Sequence, residues 1–482
     1  MSTVSMTHDL IVIGAGPAGM AAAASAAALG LKTVLLDEQA RMGGQIYRNV
    51  QACDPKVAAL LGPDYTHGTT LTDAVNRTRL EVRTGALIWD VAPDLTVTGL
   101  QDRQAFQIRA PQIIAATGAM ERPSPVPGWT LPGVLNAGAA QIALKSGGVV
   151  PQGRIVLAGA GPLLLLVACQ LLDAGADVVG VVETSPGHNR VRALRHLPAA
   201  LAAWPYLAKG LRMMMRLRKS GILWFAQAQA LEIQGADCAQ ALVFQAGGRT
   251  QRVDADCVLL HHGVIPNTQL SRLLRVDHRW DDRQLAWQVV TDTFGQTSRP
   301  GLRVAGDGAA IGGALAAEAS GALAALGAAH QLGRLTDDDF ATRARPLHRS
   351  LARHLAIRPF LDELYRPPTW IVQPADATIV CRCEEVTAGR VREMARLGCV
   401  GPNQTKFFSR CGMGPCQGRI CGSTVTQVLA AELDKSPNEV GAYRIRAPLK
   451  PIPLGALSAL AVPASAHGPS APHCAPPNVE KE

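Results

Sequence analysis

The chain opens on an uninterrupted apolar run, Leu10–Ile13, that breaks at Gly14-Ala15-Gly16-Pro17-Ala18-Gly19 and continues into a small-residue stretch, Met20–Leu29. A second apolar run, Thr33–Leu36, ends in Asp37-Glu38. Short apolar runs without alternation predict strands covered on both faces. The order strand, glycine turn, helix, strand is that of a dinucleotide-binding βαβ unit. Residues 154–183 repeat the pattern, with the turn at Gly159-Ala160-Gly161-Pro162 and a strand over Asp177–Val182 that runs into Glu183. Between the two units, Leu80–Thr84 and Ala86–Val91 read as short strands. Ile113–Ala116 is a buried strand ending in Thr117-Gly118, and Leu302–Ala305 is another that ends in Gly306-Asp307-Gly308. Helices are predicted over Ala388–Leu397 and Ser423–Leu433.

Leu10–Leu31 and Ile155–Leu172 are long enough to span a bilayer, but a Gly-Ala-Gly-Pro turn interrupts each. Strand–turn–helix is therefore preferred to a membrane helix. No basic segment with a cleavage site starts the chain, so a cytoplasmic protein is expected, with peripheral contact to the inner membrane as the alternative. Of the 482 residues 48% are hydrophobic and 18% charged, enough for several folded cores. The net charge of +9 comes with only 4% aromatics and no basic–aromatic interleaving, which argues against nucleic acid and for nucleotide phosphates or an acidic partner. Residues 187–219 read as a helical insertion with eight Lys or Arg and no acid. This is a solvated face, or a surface for a partner or a membrane.

In the first turn Gly14 permits the bend, Gly16 lets a pyrophosphate approach the backbone, and Gly19 lets the helix pack on the sheet. Asp37, with Glu38 as the fallback, stands where a carboxylate accepts the adenosine ribose hydroxyls. The second turn carries Leu164 in the third glycine position, which alters helix packing without excluding a phosphate. Glu183 suits an unphosphorylated ribose there, so NAD(H) or a non-redox ATP is expected. His261-His262 is read as structural.

Eleven cysteines are present, and six of them (Cys381, Cys383, Cys399, Cys411, Cys416, Cys421) crowd together. Clustering of this kind points to metal. Cys381-Arg382-Cys383 is followed after 27 residues by Cys411-Gly-Met-Gly-Pro-Cys416. Four thiolates can hold a 2Fe–2S cluster or a zinc ion. Helix N-termini and the Gly412 and Gly414 amides favour the negatively charged cluster. Cys421 is an alternative ligand.

Gly14–Gly19, Thr117-Gly118 and Gly306-Asp307, in this order, resemble the flavoprotein superfamily with two dinucleotide-binding domains. The resemblance implies FAD, with Asp307 on its ribityl chain, Thr117-Gly118 near the flavin, and the loop Gly43-Gly44-Gln45-Ile46-Tyr47-Arg48 along the ring, where Gln45 can hydrogen-bond it. Gly263-Val-Ile-Pro266-Asn267 resembles the closing strand of the NAD domain. Disulfide reductases of this superfamily carry a redox cysteine pair that is missing here: Cys53 is alone, and Cys238 and Cys257 are far apart. The cysteine pattern resembles the bacterioferritin-associated ferredoxin-like 2Fe–2S domain, except that its second pair is Cys-x4-Cys rather than Cys-x2-Cys.

Together with segments 116–123 (Ala-Thr-Gly-Ala-Met-Glu-Arg-Pro), 127–134 (Pro-Gly-Trp-Thr-Leu-Pro-Gly-Val) and 159–166 (Gly-Ala-Gly-Pro-Leu-Leu-Leu-Leu), and Cys381-Arg-Cys-Glu-Glu385, these motifs resemble the flavoprotein α subunits of heteromeric amino-acid dehydrogenases. Opine oxidase A, hydrogen cyanide synthase B, and D-hydroxyproline or dye-linked proline dehydrogenase α subunits belong to this group. The implied fold is α/β, with two Rossmann-like domains and a small 2Fe–2S domain. The FAD domain is expected over 1–150 and 286–375, the NAD-type domain over 151–285, the 2Fe–2S domain over 376–440, and a Pro/Ala-rich arm with a disordered tail over 441–482. The implied function is an electron-transfer subunit, an FAD-dependent oxidoreductase acting on C–N donors. Its implied partners are an FAD β subunit that oxidises the amine, a small ferredoxin-like subunit, and an external acceptor. A self-contained NAD(P)H-dependent reductase is the competing enzyme, and a scaffold or iron-handling module the non-enzyme alternative. The sequence offers no catalytic acid, base or nucleophile, which accords with chemistry held in a cofactor.

Overall fold

The computed structural model describes residues 8–458 and 460. The chain begins with strand β1 (Leu10–Ile13), helix α1 (Pro17–Ala28) and strand β2 (Thr33–Leu36). It continues through β3 (Glu81–Arg83) and β4 (Gln112–Ala115) to the short strand β5 (Ala119–Glu121). Then come β6 (Val134–Asn136), α2 (Ala137–Gly147), β7 (Ile155–Ala160), α3 (Pro162–Asp173), β8 (Val178–Glu183) and β9 (Leu223–Phe225). The second unit closes with β10 (Cys257–His262) and β11 (Val264–Pro266), and the chain returns to the first with β12 (Leu302–Val304).

Two parallel five-stranded sheets result. The first has the order β12-β4-β1-β2-β3 and the second β9-β8-β7-β10-β6. Every residue of β1, β2, β4 and β7 is buried, which is why these segments read as apolar runs without alternation. On one face α1 packs against the helix Ala314–Gln331. The contact is backbone-close: a Cβ on Gly321 would lie 2.0 Å from the Ala18 carbonyl oxygen, so only glycine fits at that position. The antiparallel pair β5/β11 bridges the two units.

Strand β6, ahead of residue 151, joins the edge of the second sheet by pairing with β10 in register Val134↔Val258. The insertion at 187–219 is helical and ends in the 16-residue helix Trp204–Lys219. It leaves Val191, Leu194, Trp204 and Leu211 exposed among its arginines.

The cysteine-rich segment forms β13 (Ile379–Cys381), β14 (Val386–Thr387), α4 (Ala388–Arg396), α5 (Pro402–Ser409) and α6 (Gly422–Glu432). It is not a separate bead. Val380, Cys381, Val425 and Leu429 share one continuous core with Ile11, Ile13, Val34 and Leu36 of the first sheet. The following arm is laid on the first unit: the Leu449 amide donates to the Trp89 carbonyl at 2.7 Å, and Lys450 pairs with Glu38. The tail expected to be disordered lies outside the described residues. Among the described residues no helix is long and apolar enough to cross a membrane.

Candidate functional site

The sequence motifs of the first unit meet at the carboxyl ends of β1, β4 and β12, the edge where open parallel sheets bind ligands. Gly14 has φ 105° and sits against the Ala116 carbonyl, 2.4 Å from where a Cβ would be. A Cβ on Gly19 would strike the Gly14 carbonyl oxygen at 1.7 Å, which holds α1 tight on its own turn. Gly16 differs. Its nearest neighbour to a Cβ is the Gly44 Cα at 3.8 Å, so a side chain there would meet open space. Gly44 in turn approaches the Gly16 backbone, 2.7 Å from its own Cβ position. The Gly43–Arg48 loop therefore lies across the turn and leaves a backbone-lined cradle, which fits a pyrophosphate at the α1 N-terminus.

Asp37 is buried at the end of β2. Its carboxylate accepts the Ala15 amide at 2.5 Å and the Gln39 amide at 2.7 Å. Burial raises its pKa and these two amides oppose the rise. Glu38 is more exposed and is engaged by Lys450. Asp307 Oδ1 accepts the amides of Gly312 and Gly313 at 2.8 and 2.9 Å, which fixes the carboxylate, and the adjoining Gly308 packs against Thr117-Gly118. Nothing lies within 4 Å of a Cβ at Gly118. The Thr117 hydroxyl donates to the Asn267 carbonyl at 3.1 Å and so ties β4 to the end of β11. Gln45 spends its side-chain oxygen on Arg48, and its carbonyl accepts from Lys145 at 3.3 Å. Lys145, which belongs to no motif of the sequence, is 4% exposed and is pushed down to about 7, first by burial and then by Arg48.

The second turn is formed by Gly159 (φ 141°) and Gly161 (φ 125°) ahead of α3. Leu164 fills the third glycine position inside the core, 1% exposed. Glu183 pairs in register with Gly159 across β8, accepts the Ser185 amide at 2.9 Å through Oε1, and has no hydrogen bond at Oε2. The nearest cation to that oxygen is Arg190 at 3.6 Å.

The cysteines divide into two groups. Cys381, Cys411 and Cys421 are buried with their sulfurs all within 4.8 Å of one another. The Cys411 and Cys421 thiols donate to Cys381, and with the Gly412 amide (3.5 Å) they pull Cys381 down to about 2. Cys411 is pushed up to about 12 and Cys421 well up, each first by its contact with Cys381. Cys383 and Cys416 face each other within hydrogen-bonding reach in a more exposed position. The structure thus brings Cys421, held in the sequence only as an alternative, into the buried group. Its position opening α6 was the available signal. Five sulfurs in one small domain, with a backbone amide donating to the most acidic, form a donor set that fits an iron–sulfur cluster. Cys399 is buried apart from this group, as an ordinary thiol would be.

The flavin-side and cysteine-side residues converge on one cavity of about 50 Å³, lined by Met120, Pro266, Asn267, Arg272, Trp287 and Tyr443 among others. Asn267 reaches it from the Thr117 side. Tyr443 reaches it from the cysteine side, its hydroxyl donating to the Cys411 carbonyl at 2.8 Å.

Two family models match the chain: pyridine nucleotide-disulphide oxidoreductase over residues 8–329 and the sarcosine oxidase A3 domain over residues 376–461. The opine oxidase A chain of Rhizobium meliloti is 44% identical, the match covering 94% of this chain and 88% of that one. Hydrogen cyanide synthase subunit HcnB of Pseudomonas protegens is 33% identical over 94% of this chain and 97% of its own. Among solved structures, L-proline dehydrogenase from P. horikoshii shares the fold with a TM-score of 0.67 at 18% identity, covering 94% of this chain and 79% of that chain. FAD-type dinucleotide binding follows from the family together with the glycine cradle. The chain belongs to the pyridine nucleotide-disulphide oxidoreductase family, in the group that holds the opine oxidase A subunits and hydrogen cyanide synthase subunit HcnB.

Proposed function

We propose that this chain is the electron-transferring subunit of a heteromeric amine or amino-acid dehydrogenase, holding FAD at the first turn and a 2Fe–2S cluster in the C-terminal domain. The observation that carries the proposal is the buried trio Cys381, Cys411 and Cys421, built into the same hydrophobic core as strand β1 that leads into the dinucleotide turn, with Cys383 and Cys416 beside it nearer the surface. Such a set has no use in a stand-alone disulfide reductase, and the redox cysteine pair of that chemistry is absent from its usual places. The relatives named as opine oxidase and hydrogen cyanide synthase subunits support C–N oxidation within a complex.

When bound, a flavin accepts an electron pair and releases it singly, and an iron–sulfur cluster carries one electron. The chain's own residues supply the holding. Gly14, Gly16, Gly19 and Gly44 shape the pyrophosphate cradle. Asp37 would receive the adenosine ribose, with Glu38 tied to the arm. Thr117, Gly118, Gln45, Gly306 and Asp307 would hold the flavin and its ribityl chain. In the second unit Gly159, Gly161 and Glu183 would hold NAD(H) or ATP. Cys381 with Cys411, and Cys383 with Cys416, give the two thiolate pairs that a 2Fe–2S cluster needs, and Cys421 is the fifth sulfur beside the inner pair. The buried Arg122, which donates to the His262, Leu285 and Gln284 carbonyls, keeps the bridge between the two units rigid.

An FAD-containing β subunit would oxidise the amine; an external acceptor and a ferredoxin-like subunit would complete the path. An exposed aromatic pair supports docking at the cluster. Phe407 and Phe408 are 78% and 62% exposed on α5, next to Cys411. Isolated apolar residues on a surface are ordinary, but an exposed edge-to-face aromatic pair just ahead of Cys411 in the chain suits a protein partner.

The test is co-purification of the chain with its partners, with flavin and iron counted. Serine replacements at Cys416 and Cys421, read by iron content and cluster absorbance, decide which sulfur is the ligand. Rapid bleaching of the isolated chain's flavin by NADH would favour a self-contained NAD(P)H reductase. A purified chain without flavin would overturn both enzyme readings.

A further inference from the structure

The two adjacent histidines at the end of β10 play different parts. His262 is 1% exposed with both ring nitrogens occupied, Nδ1 by the Ser124 hydroxyl at 2.7 Å and Nε2 by the Thr184 hydroxyl at 3.2 Å. It is a core residue. His261 is 3% exposed, and its Nδ1 lies 2.6 Å from Glu121 Oε1. The other Glu121 oxygen accepts the Gly138 amide at 2.8 Å, so the carboxylate is fixed at both ends. His261 Nε2 has no protein partner among the described residues. It points at the second glycine turn: a Cβ built on Gly161 would lie 3.3 Å from it. Gly159 is flanked in register by Glu183 on β8 and by His261 on β10. A carboxylate oxygen that accepts no hydrogen bond, with the Arg190 guanidinium 3.6 Å away, and an imidazole nitrogen without a hydrogen-bond partner among the described residues therefore stand on opposite sides of one turn.

We propose that His261 is a phosphate-binding residue of the second nucleotide site, held in place by Glu121 as a positioning residue. The ligand class is an adenine nucleotide with a di- or triphosphate, its ribose toward Glu183 and its phosphates toward His261. The assignment rests on the reading of this turn as a nucleotide site. The physical reason is the division of labour on the ring. Glu121 holds Nδ1, which leaves Nε2 as the ring atom directed at the space where the turn amides and the α3 N-terminus already favour an anion, and an N–H at Nε2 donates to a phosphate oxygen placed there. Neighbouring residues of β7 and the first turns of α2 and α3 bring no charge that would compete; Arg122, just after β5, is turned to carbonyls.

The experiment measures binding of adenosine, ADP and ATP to the flavin-loaded full chain by calorimetry, for the unaltered protein and four variants. His261→Ala weakens ADP and ATP by about tenfold, the scale of one charge-assisted hydrogen bond, and leaves adenosine unchanged. His261→Gln recovers part of the loss because its amide can donate. Glu121→Gln falls between. Equal weakening of adenosine and ADP, or no weakening of either, would overturn the assignment while leaving the nucleotide site standing. No binding of any of the three to the unaltered protein, or binding that Glu183→Ala does not disturb, would overturn the site itself.

Discussion

Replacing Lys145 with Met should change how stability depends on pH, and the structure sets the size of the change. The ammonium is buried, with Nζ 2.9 Å from Gln141 Oε1 and 3.3 Å from the Gln45 carbonyl, and its pKa drops from 10.5 to about 7, by burial first and Arg48 second. Between those values the unfolded chain holds a proton that the folded chain has shed. Stability therefore rises with pH through this window, and the penalty is complete below about pH 7. At ~1.4 kcal/mol per pKa unit, the penalty eases by roughly 2–3 kcal/mol between pH 6 and pH 9. Lys145→Met keeps the aliphatic volume, removes the titration, and strands two acceptors at a pH-independent cost of roughly 1–3 kcal/mol each. Thermal melts of variant and parent at pH 6, 7.5 and 9, followed by flavin fluorescence, read the difference between the two proteins, so other titrating groups cancel. The difference should move in the parent's favour by roughly 5–10 °C from pH 6 to pH 9, at ~2–4 °C per kcal/mol. A difference that stays constant over that range would show that Lys145 is solvated or compensated in the folded protein, and would refute its burial as the cause.

Three further outcomes follow from particular contacts. Gly16→Ala meets only the Gly44 Cα at 3.8 Å, so it should leave stability within about 1 kcal/mol of the parent while flavin retention in gel filtration falls; Gly19→Ala, 1.7 Å from the Gly14 carbonyl, should fail to give soluble protein. His262 is pushed down from 6.5 to about 3 by burial, then by His261 and Arg122. The unfolded chain takes up a proton as pH falls through 6.5 and the folded chain does not, so stability drops by roughly 2 kcal/mol between pH 7 and pH 5, and His262→Gln should flatten that slope in urea melts. Lys450→Ala breaks a partly exposed pair with Glu38 and should cost less than about 1 kcal/mol, yet speed proteolysis of residues 442–453, because the pair and the Leu449–Trp89 hydrogen bond anchor the arm.

Much of the fold was legible because its strands carry a local signature. β1, β2, β4 and β7 are buried on both faces, so each appears in the chain as a bare apolar run, and Thr33–Leu36 was bounded to the residue. The glycine turns were legible for the same reason: Gly14 and Gly159 must adopt positive φ, and that requirement selects the residue type. The place of β6 was not, because that strand is three residues long and joins the second sheet by pairing with β10, more than a hundred residues away. Pairing partners leave no mark in the spacing of a short strand.

The site divides along the same line. Residue type and spacing marked Gly14, Gly16, Asp37, Glu183 and the cysteine cluster as candidates, and Asp307 came from the family resemblance. Direction and company were decided by packing. Cys421 joins Cys381 and Cys411 because α6 begins beside β13, while Cys383 and Cys416 turn to each other at the rim. Two identical neighbours, His261 and His262, are pointed to opposite faces by the strand's two-residue alternation, one into a hydroxyl-lined core and one toward a glycine turn. The sequence determined which chemical groups this protein possesses and where its glycine turns fall. Only the tertiary structure decided which of those groups share a space, because contacts between distant segments arise from burial of whole surfaces and not from any local pattern.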